Sequence, residues 1–283
     1  MKIQIIGAGA MGLVLAHFLS SKNEVILVIK KGTLERYKDV KVLIDGHYYR
    51  LNVKISEKLD EADLTLVAVK SYDLPNISDV KIAGDVMFIQ NGLTHLRYKI
   101  GKRNFYCVTT WAARKIDEKT SELTGRGYFR VGSEDGFLDL SFLRDTGINA
   151  EWVDDIKMEL FRKAGINAVI NPITAIYRIP NGAIIENQYI NFISKKVSEE
   201  IQMLYNKMGL KINVWEDVEY TANVTRRNYS SMLQDILKGS RTEIESITGE
   251  LLKYANSNKI EMQLNELLYN TIKNLEFQSV LHN

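Results

Sequence analysis

A chain of 283 residues, 45% hydrophobic and 25% charged, has the composition of a globular protein large enough for two domains. Its formal net charge of +2 gives no basis for binding nucleic acid or a membrane surface, and no stretch is long and apolar enough to span a bilayer. The one cysteine, Cys107, excludes an intramolecular disulfide; it lies in the apolar run FYCVTT and reads as a buried structural thiol.

Residues 2–6 (KIQII) form a short apolar strand. It runs into Gly7-Ala8-Gly9-Ala10-Met11-Gly12, then a helical pattern over 13–19 and a second strand over 24–29. Strand, GxGxxG, helix and strand in this order mark a dinucleotide-binding turn. Gly7 permits the tight turn, Gly9 lets the backbone approach a pyrophosphate, and Gly12 lets the helix pack close to the strand. The amides that open the helix then serve the phosphates. An NAD site places Asp or Glu at the end of the second strand, to bind the ribose hydroxyls. Here the strand runs out through Ile29-Lys30-Lys31-Gly32. The acid is missing and two lysines stand in its place, which predicts NADP(H).

Residues 40–55 alternate around Asp45-Gly46 and read as two short strands joined by a hairpin turn. Buried strands follow at 64–69, ending at Lys70, and at 86–89, ending at Gln90-Asn91-Gly92. In an open parallel sheet ligands lie beyond the carboxyl ends of the strands, which directs Lys70 and Asn91 toward the cofactor. Asn91 before Gly92 is equally ordinary turn chemistry, and both readings stand. A strand at 105–110, a strand pair around 125–131, a short helix at 137–143 and an edge strand at 150–153 follow. They complete an α/β, Rossmann-type domain over residues 1–153.

After Asp154 helical periodicity takes over, so residues 154–283 are expected to form an all-helical substrate and catalytic domain. Beyond a first long helix, others are expected at 186–208, 214–227, 230–237, 240–255 and 262–277. Pro172 is expected to kink or end the first of them. That helix carries Lys163, Asn167 and Asn171, spaced by four residues, among Ala, Val and Ile. The three form a row along one side. It is either a solvated polar face or, if buried, a row that needs partners.

The segment Lys163-Ala-Gly-Ile-Asn167-Ala-Val-Ile-Asn171-Pro-Ile-Thr-Ala resembles the signature helix of the ketopantoate reductases (2-dehydropantoate 2-reductases). So does Ser230-Ser231-Met-Leu-Gln-Asp235 followed by Arg241-Thr242-Glu243-Ile244-Glu245, together with the glycine motif, Lys70 and Gln90-Asn91-Gly92. The resemblance implies reduction of 2-dehydropantoate to pantoate with NADPH, in pantothenate and coenzyme A synthesis. Lys163 would be the general acid, Glu243 would hold the substrate hydroxyl and Ser231 the substrate carboxylate. Asn167, Asn171 and Asn181 would position substrate polar groups. Asn91 would lie at the nicotinamide, Lys70 near the cofactor and Lys30 at the 2′-phosphate, with Glu243 also among the cofactor contacts. The chain departs from the family pattern at Phe161, where tryptophan is frequent, and at Trp111, where a smaller or polar residue is common.

The residues suit that chemistry. Hydride arrival at a ketone builds negative charge on oxygen, which a nearby cation stabilises and a proton donor quenches. A lysine can do both, and a carboxylate such as Glu243 accepts hydrogen bonds. Glu243 is equally a helix-surface glutamate, and Ser231 equally a helix N-terminal residue. Two other functions remain open: a related NADP-dependent reductase of another 2-keto or imino acid, and a sensor that binds NADPH without turnover. The first residues do not read as a secretory leader, so a cytoplasmic protein is expected. A homodimer closing through the helical part is compatible with the pattern.

Overall fold

Apolar runs that lack polar alternation suit strands buried on both faces, and they form the main sheet of the protein. The computed structural model describes residues 1–77, 79–80 and 82–281. The chain divides into two compact units. The first comprises Met1–Gln90 and His95–Ile156, the second Asn91–Thr94 and Lys157–Asn283.

In the first unit the strands are β1 (Lys2–Ile6), β2 (Glu24–Val28), β3 (Lys41–Ile44), β4 (His47–Arg50), β5 (Lys54–Ser56) and β6 (Leu64–Val67). They continue with β7 (Asp85–Phe88), β8 (Asn104–Thr109), β9 (Ala112–Lys115), β10 (Thr120–Gly125), β11 (Phe129–Gly132) and β12 (Ala150–Trp152). Two helices, α1 (Ala10–Leu19) and α2 (Ser141–Arg144), lie among them. The main sheet has the order β12-β11-β8-β7-β6-β1-β2-β5. Its six strands from β8 to β5 are parallel, while β11 runs antiparallel to β8. The chain moves outward from β1 through β2 to β5, then returns to β6 on the other side of β1. That reversal is the switch point at which doubly wound sheets bind ligands.

A second sheet, β4-β3-β10-β9, accounts for the parts that the sequence reading placed incompletely. Residues 40–55 give three strands, not two: the hairpin β3–β4 enters the small sheet, and β5 joins the main sheet beside β2. The expected pair near 125–131 is split between sheets, β10 pairing with β3 and β9, and β11 with β8. The physical reason lies in α1, which is apolar nearly all round (AMGLVLAHFL). Such a helix must be covered on both sides. The main sheet covers one side through β1 and β2, and β9, β10 and β3 pack on it as well. Trp111, one of the departures from the family pattern, fills this layer edge-on against Phe18 of α1 and Phe129, at ring distances of 4.9 and 5.4 Å. The helix expected at 137–143 is reduced to α2, and Phe137 is exposed. Cys107 is buried, as expected.

The second unit holds α3 (Ile156–Tyr177), α4 (Ala183–Glu186), α5 (Gln188–Lys207), α6 (Val214–Val224), α7 (Ser231–Leu237), α8 (Glu250–Asn258) and α9 (Gln263–Leu281). Helix α3 continues five residues past Pro172, so the proline does not end it. The helix expected at 186–208 is α5, which starts two residues late because the Asn187 side chain caps it by accepting from the Tyr189 and Ile190 amides. The helix expected at 240–255 starts late: Arg241 and Thr242 are irregular, Glu245–Gly249 is a π-turn, and α8 follows. Gly165 lets Tyr205 of α5 press against α3, where a Cβ would stand 3.0 Å from its hydroxyl. That hydroxyl donates to the Phe161 carbonyl at 2.6 Å, and Arg162 pairs with Asp217 of α6 at 2.7 Å. Phe161, the other departure from the family, packs edge-on against Tyr205 and Tyr254. Among the described residues no helix is long and apolar enough to cross a membrane.

Candidate active site

The glycine turn of the first unit has the shape that a pyrophosphate needs. Gly7 has φ +107°, and a Cβ there would lie 2.8 Å from the Val69 amide nitrogen. A Cβ on Gly12 would stand 2.0 Å from the Gly7 carbonyl, so helix and turn can meet only without side chains. Gly9 differs: the nearest atom to its Cβ position is 4.0 Å away, and the residue is exposed. It is the N-cap of α1 and carries no side-chain cap, and the first turn of α1 holds no acid. Its amides are therefore available to an anionic ligand, and the turn fits a dinucleotide. Ala8 is buried, Ala10 and Met11 are half-buried. Lys30 and Lys31 are exposed on the turn that leaves β2. Lys70 follows β6 and is half-buried.

The second unit gathers the polar candidates. Lys163 and Asn167 on α3 are half-buried and Asn171 is buried, so the row is not a solvated face. Glu243 is 7% exposed and is not a surface glutamate. The Asn91 side-chain amide donates to its carboxylate at 3.2 Å, which joins two residues 152 positions apart. Asn91 therefore does more than shape a turn.

Near the other end of α3, the Thr174 hydroxyl donates to Ser230 Oγ at 2.7 Å. Ser230 caps α7 by accepting from the Leu233 amide at 3.1 Å, so the capping role falls one residue before Ser231. Ser231 is the first residue of α7 and its side chain is exposed. Asn181 is buried, its amide donating to Thr225 Oγ1 at 2.9 Å. Its Oδ1 has no hydrogen-bond partner among the described residues, an acceptor suited to a substrate hydroxyl.

A family model described as Ketopantoate reductase PanE/ApbA matches residues 3–136, and one described as Ketopantoate reductase PanE/ApbA C terminal matches residues 155–276. The 2-dehydropantoate 2-reductase of Archaeoglobus fulgidus is 33% identical, over 97% of this chain and 98% of its own length. The chain belongs to the ketopantoate reductase family. As a member it is an oxidoreductase served by a nicotinamide dinucleotide. The crystal structure of a probable 2-dehydropantoate 2-reductase from Bacillus subtilis matches with a TM-score of 0.85 at 25% identity, covering 98% of this chain and 100% of that one. A D-mandelate dehydrogenase solved with NADH and anilino(oxo)acetate shares the fold, with a TM-score of 0.88 at 21% identity over 99% of each chain.

Two features of this ketopantoate reductase family member escaped the sequence reading. Ser246, in the π-turn, grips the Asn91–Thr94 segment: its hydroxyl donates to the Asn91 carbonyl at 3.0 Å, and its carbonyl accepts from the Leu93 amide at 2.8 Å. Glu276 of α9 anchors the residue before Glu243, accepting from the Thr242 amide at 2.8 Å and its hydroxyl at 2.6 Å. Nothing local to Ser246 or Glu276 distinguishes either from an ordinary helical residue. The only sign nearby was Gly92, which the sequence offers as turn chemistry and the structure shows pressed against Ser246.

Proposed function

We propose that this protein reduces the ketone of 2-dehydropantoate to the alcohol of pantoate, with NADPH as the cofactor. The observation that carries the proposal is the partial burial of the Lys163-Asn167-Asn171 row in the same unit as a buried Glu243 fixed by Asn91. Residues 1–153 serve as the cofactor domain and 154–283 as the substrate and catalytic domain, with the Asn91 segment serving the latter.

When bound, NADPH supplies the hydride. The backbone of Gly7-Ala8-Gly9-Ala10-Met11-Gly12 would hold the pyrophosphate, Lys30 would serve the 2′-phosphate, and Lys70 would serve the cofactor. The Lys163 ammonium hydrogen-bonds the ketone oxygen, stabilises the charge that builds there, and delivers its proton to that oxygen. Glu243 would accept the hydrogen bond of the substrate hydroxyl, and Asn91, donating to its carboxylate, would keep that carboxylate oriented. Asn167 stands one helical turn from Lys163, about 6 Å along the axis, within reach of the same small acid. Asn171, Asn181 and Ser231 hold the remaining polar groups, Ser231 the carboxylate.

Steady-state oxidation of NADPH and NADH, measured side by side across a panel of 2-keto acids, tests the proposal. The highest kcat/KM is expected for 2-dehydropantoate with NADPH, at least about tenfold above NADH. A comparable preference for NADH would overturn the reading of Lys30 and Lys31. NADPH binding without oxidation of NADPH by any acid would favour the sensor.

A further inference from the structure

No acid follows β2 in the sequence, yet a carboxylate reaches that turn from the neighbouring strand. Strands β2 and β5 pair in parallel with Val28 opposite Ser56, and the Ile29 amide donates to the Ser56 carbonyl at 2.9 Å. Glu57 is the next residue, so it emerges beside the turn that carries Lys30 and Lys31. Its Oε1 accepts from the Thr33 amide at 3.0 Å and from the Leu34 amide at 3.1 Å. The turn itself closes through Thr33, whose amide and hydroxyl both donate to the Lys30 carbonyl, at 3.2 and 2.5 Å. Gly32 at φ +79° supplies the left-handed residue of that turn.

These contacts have two consequences. The Thr33 and Leu34 amides are taken by Glu57, so an anion at this turn draws on the lysine side chains and not on those two amides. Those side chains can aim at one place only if their backbone is held, because a free turn leaves both as flexible exposed charges. A charge-assisted hydrogen bond to each of two successive amides is such a hold.

We infer that Glu57 is a positioning residue for cofactor discrimination: it fixes the turn that presents Lys30 and Lys31 to the 2′-phosphate of NADPH. The inference rests on the NADPH reading above. NADH lacks the phosphate and gains little from the turn, so the effect of Glu57 is selective for NADPH.

The test is steady-state kinetics of wild type, Glu57→Ala and Glu57→Gln with saturating 2-dehydropantoate, each with NADPH and with NADH. In Glu57→Ala the KM for NADPH rises at least about fivefold, the KM for NADH changes less than about twofold, and kcat holds. Glu57→Gln keeps the Oε1 acceptor and restores the NADPH KM to within about twofold of wild type. A merely structural role would move both cofactors together. An unchanged ratio of the two KM values in Glu57→Ala would overturn the inference. So would a fall in the NADPH KM in both variants, which would make Glu57 a charge that repels the phosphate. Wild-type turnover with NADH alone would instead sink the NADPH reading itself, and is seen before any variant is compared.

Discussion

Glu276 shows how one half-buried carboxylate can place another. Its side chain is 11% exposed, pairs with Lys273 at 2.8 Å, and takes both donors of Thr242, the residue before Glu243. The Ile244 amide donates to the Thr242 hydroxyl, so both neighbours of Glu243 are tied down. Burial pushes the Glu276 carboxyl up, but the hydrogen bonds from Lys273 and Thr242 outweigh it and hold the carboxyl below its ordinary value of 4.5. An acid with a depressed folded-state value stabilises the fold fully above its unfolded value and loses that contribution as pH falls through the folded one. Glu276→Gln should therefore cost about 1–2 kcal/mol at pH 7. The gap from wild type should narrow as pH falls below about 4.5. Denaturant unfolding of both proteins at several pH values checks this; a gap that stays constant through the acid range would contradict it.

At the scale of elements, the site depends on an irregular piece, the π-turn Glu245–Gly249 between Glu243 and α8. A π-turn widens a helix by one residue and recurs at functional sites. Here it puts Ser246 against the Asn91–Thr94 segment, which also reaches Glu250 through the Thr94 hydroxyl. The fit leaves no room at Gly92: its φ is +80°, and a Cβ would lie 2.2 Å from the Ser246 carbonyl. Gly92→Ala should cost about 2–3 kcal/mol, since backbone strain and a backbone clash combine. It should also lower kcat/KM at least about tenfold by displacing Asn91. Gly46→Ala is the control, because Gly46 has the same φ with nothing within 4 Å of its Cβ position. Thermal unfolding and kinetics of both variants decide; a Gly92→Ala protein as mild as Gly46→Ala would refute the docking argument.

The same elements show what could be read in advance. Strands β1, β6 and β8 were legible because both faces are buried, and burial on both faces leaves an unbroken apolar run. Strand β4, HYYR, is exposed throughout and was legible only through the Asp45-Gly46 turn before it, while β9, AARK, has no apolar run and does not stand out from a loop. Their place is set by the outer face of α1, a tertiary cause. The π-turn was invisible because ESITG continues a helical pattern, and the extra residue shows only in the backbone. Lys163, Asn167 and Asn171 were legible because polar residues interrupt an apolar helix. Glu57, Ser246 and Glu276 were not, since each acts on a partner distant in sequence and bears no mark of it.

Taken as a whole, the molecule divides its work between two units. The first carries the glycine turn and the lysine turn, to which the proposal gives the dinucleotide. The second carries Lys163, the Asn91–Glu243 pair and the buried asparagines, to which the proposal gives the keto acid. Loss of a group that belongs to the chemistry should therefore spare cofactor binding. The direct measurement is reduction of 2-dehydropantoate by wild type and Lys163→Ala, with NADPH affinity determined on the same preparations by fluorescence titration. The account predicts a loss in kcat/KM of at least about a hundredfold, the scale of a missing general acid, with NADPH affinity changed less than about threefold. Near-wild-type turnover in Lys163→Ala would contradict it.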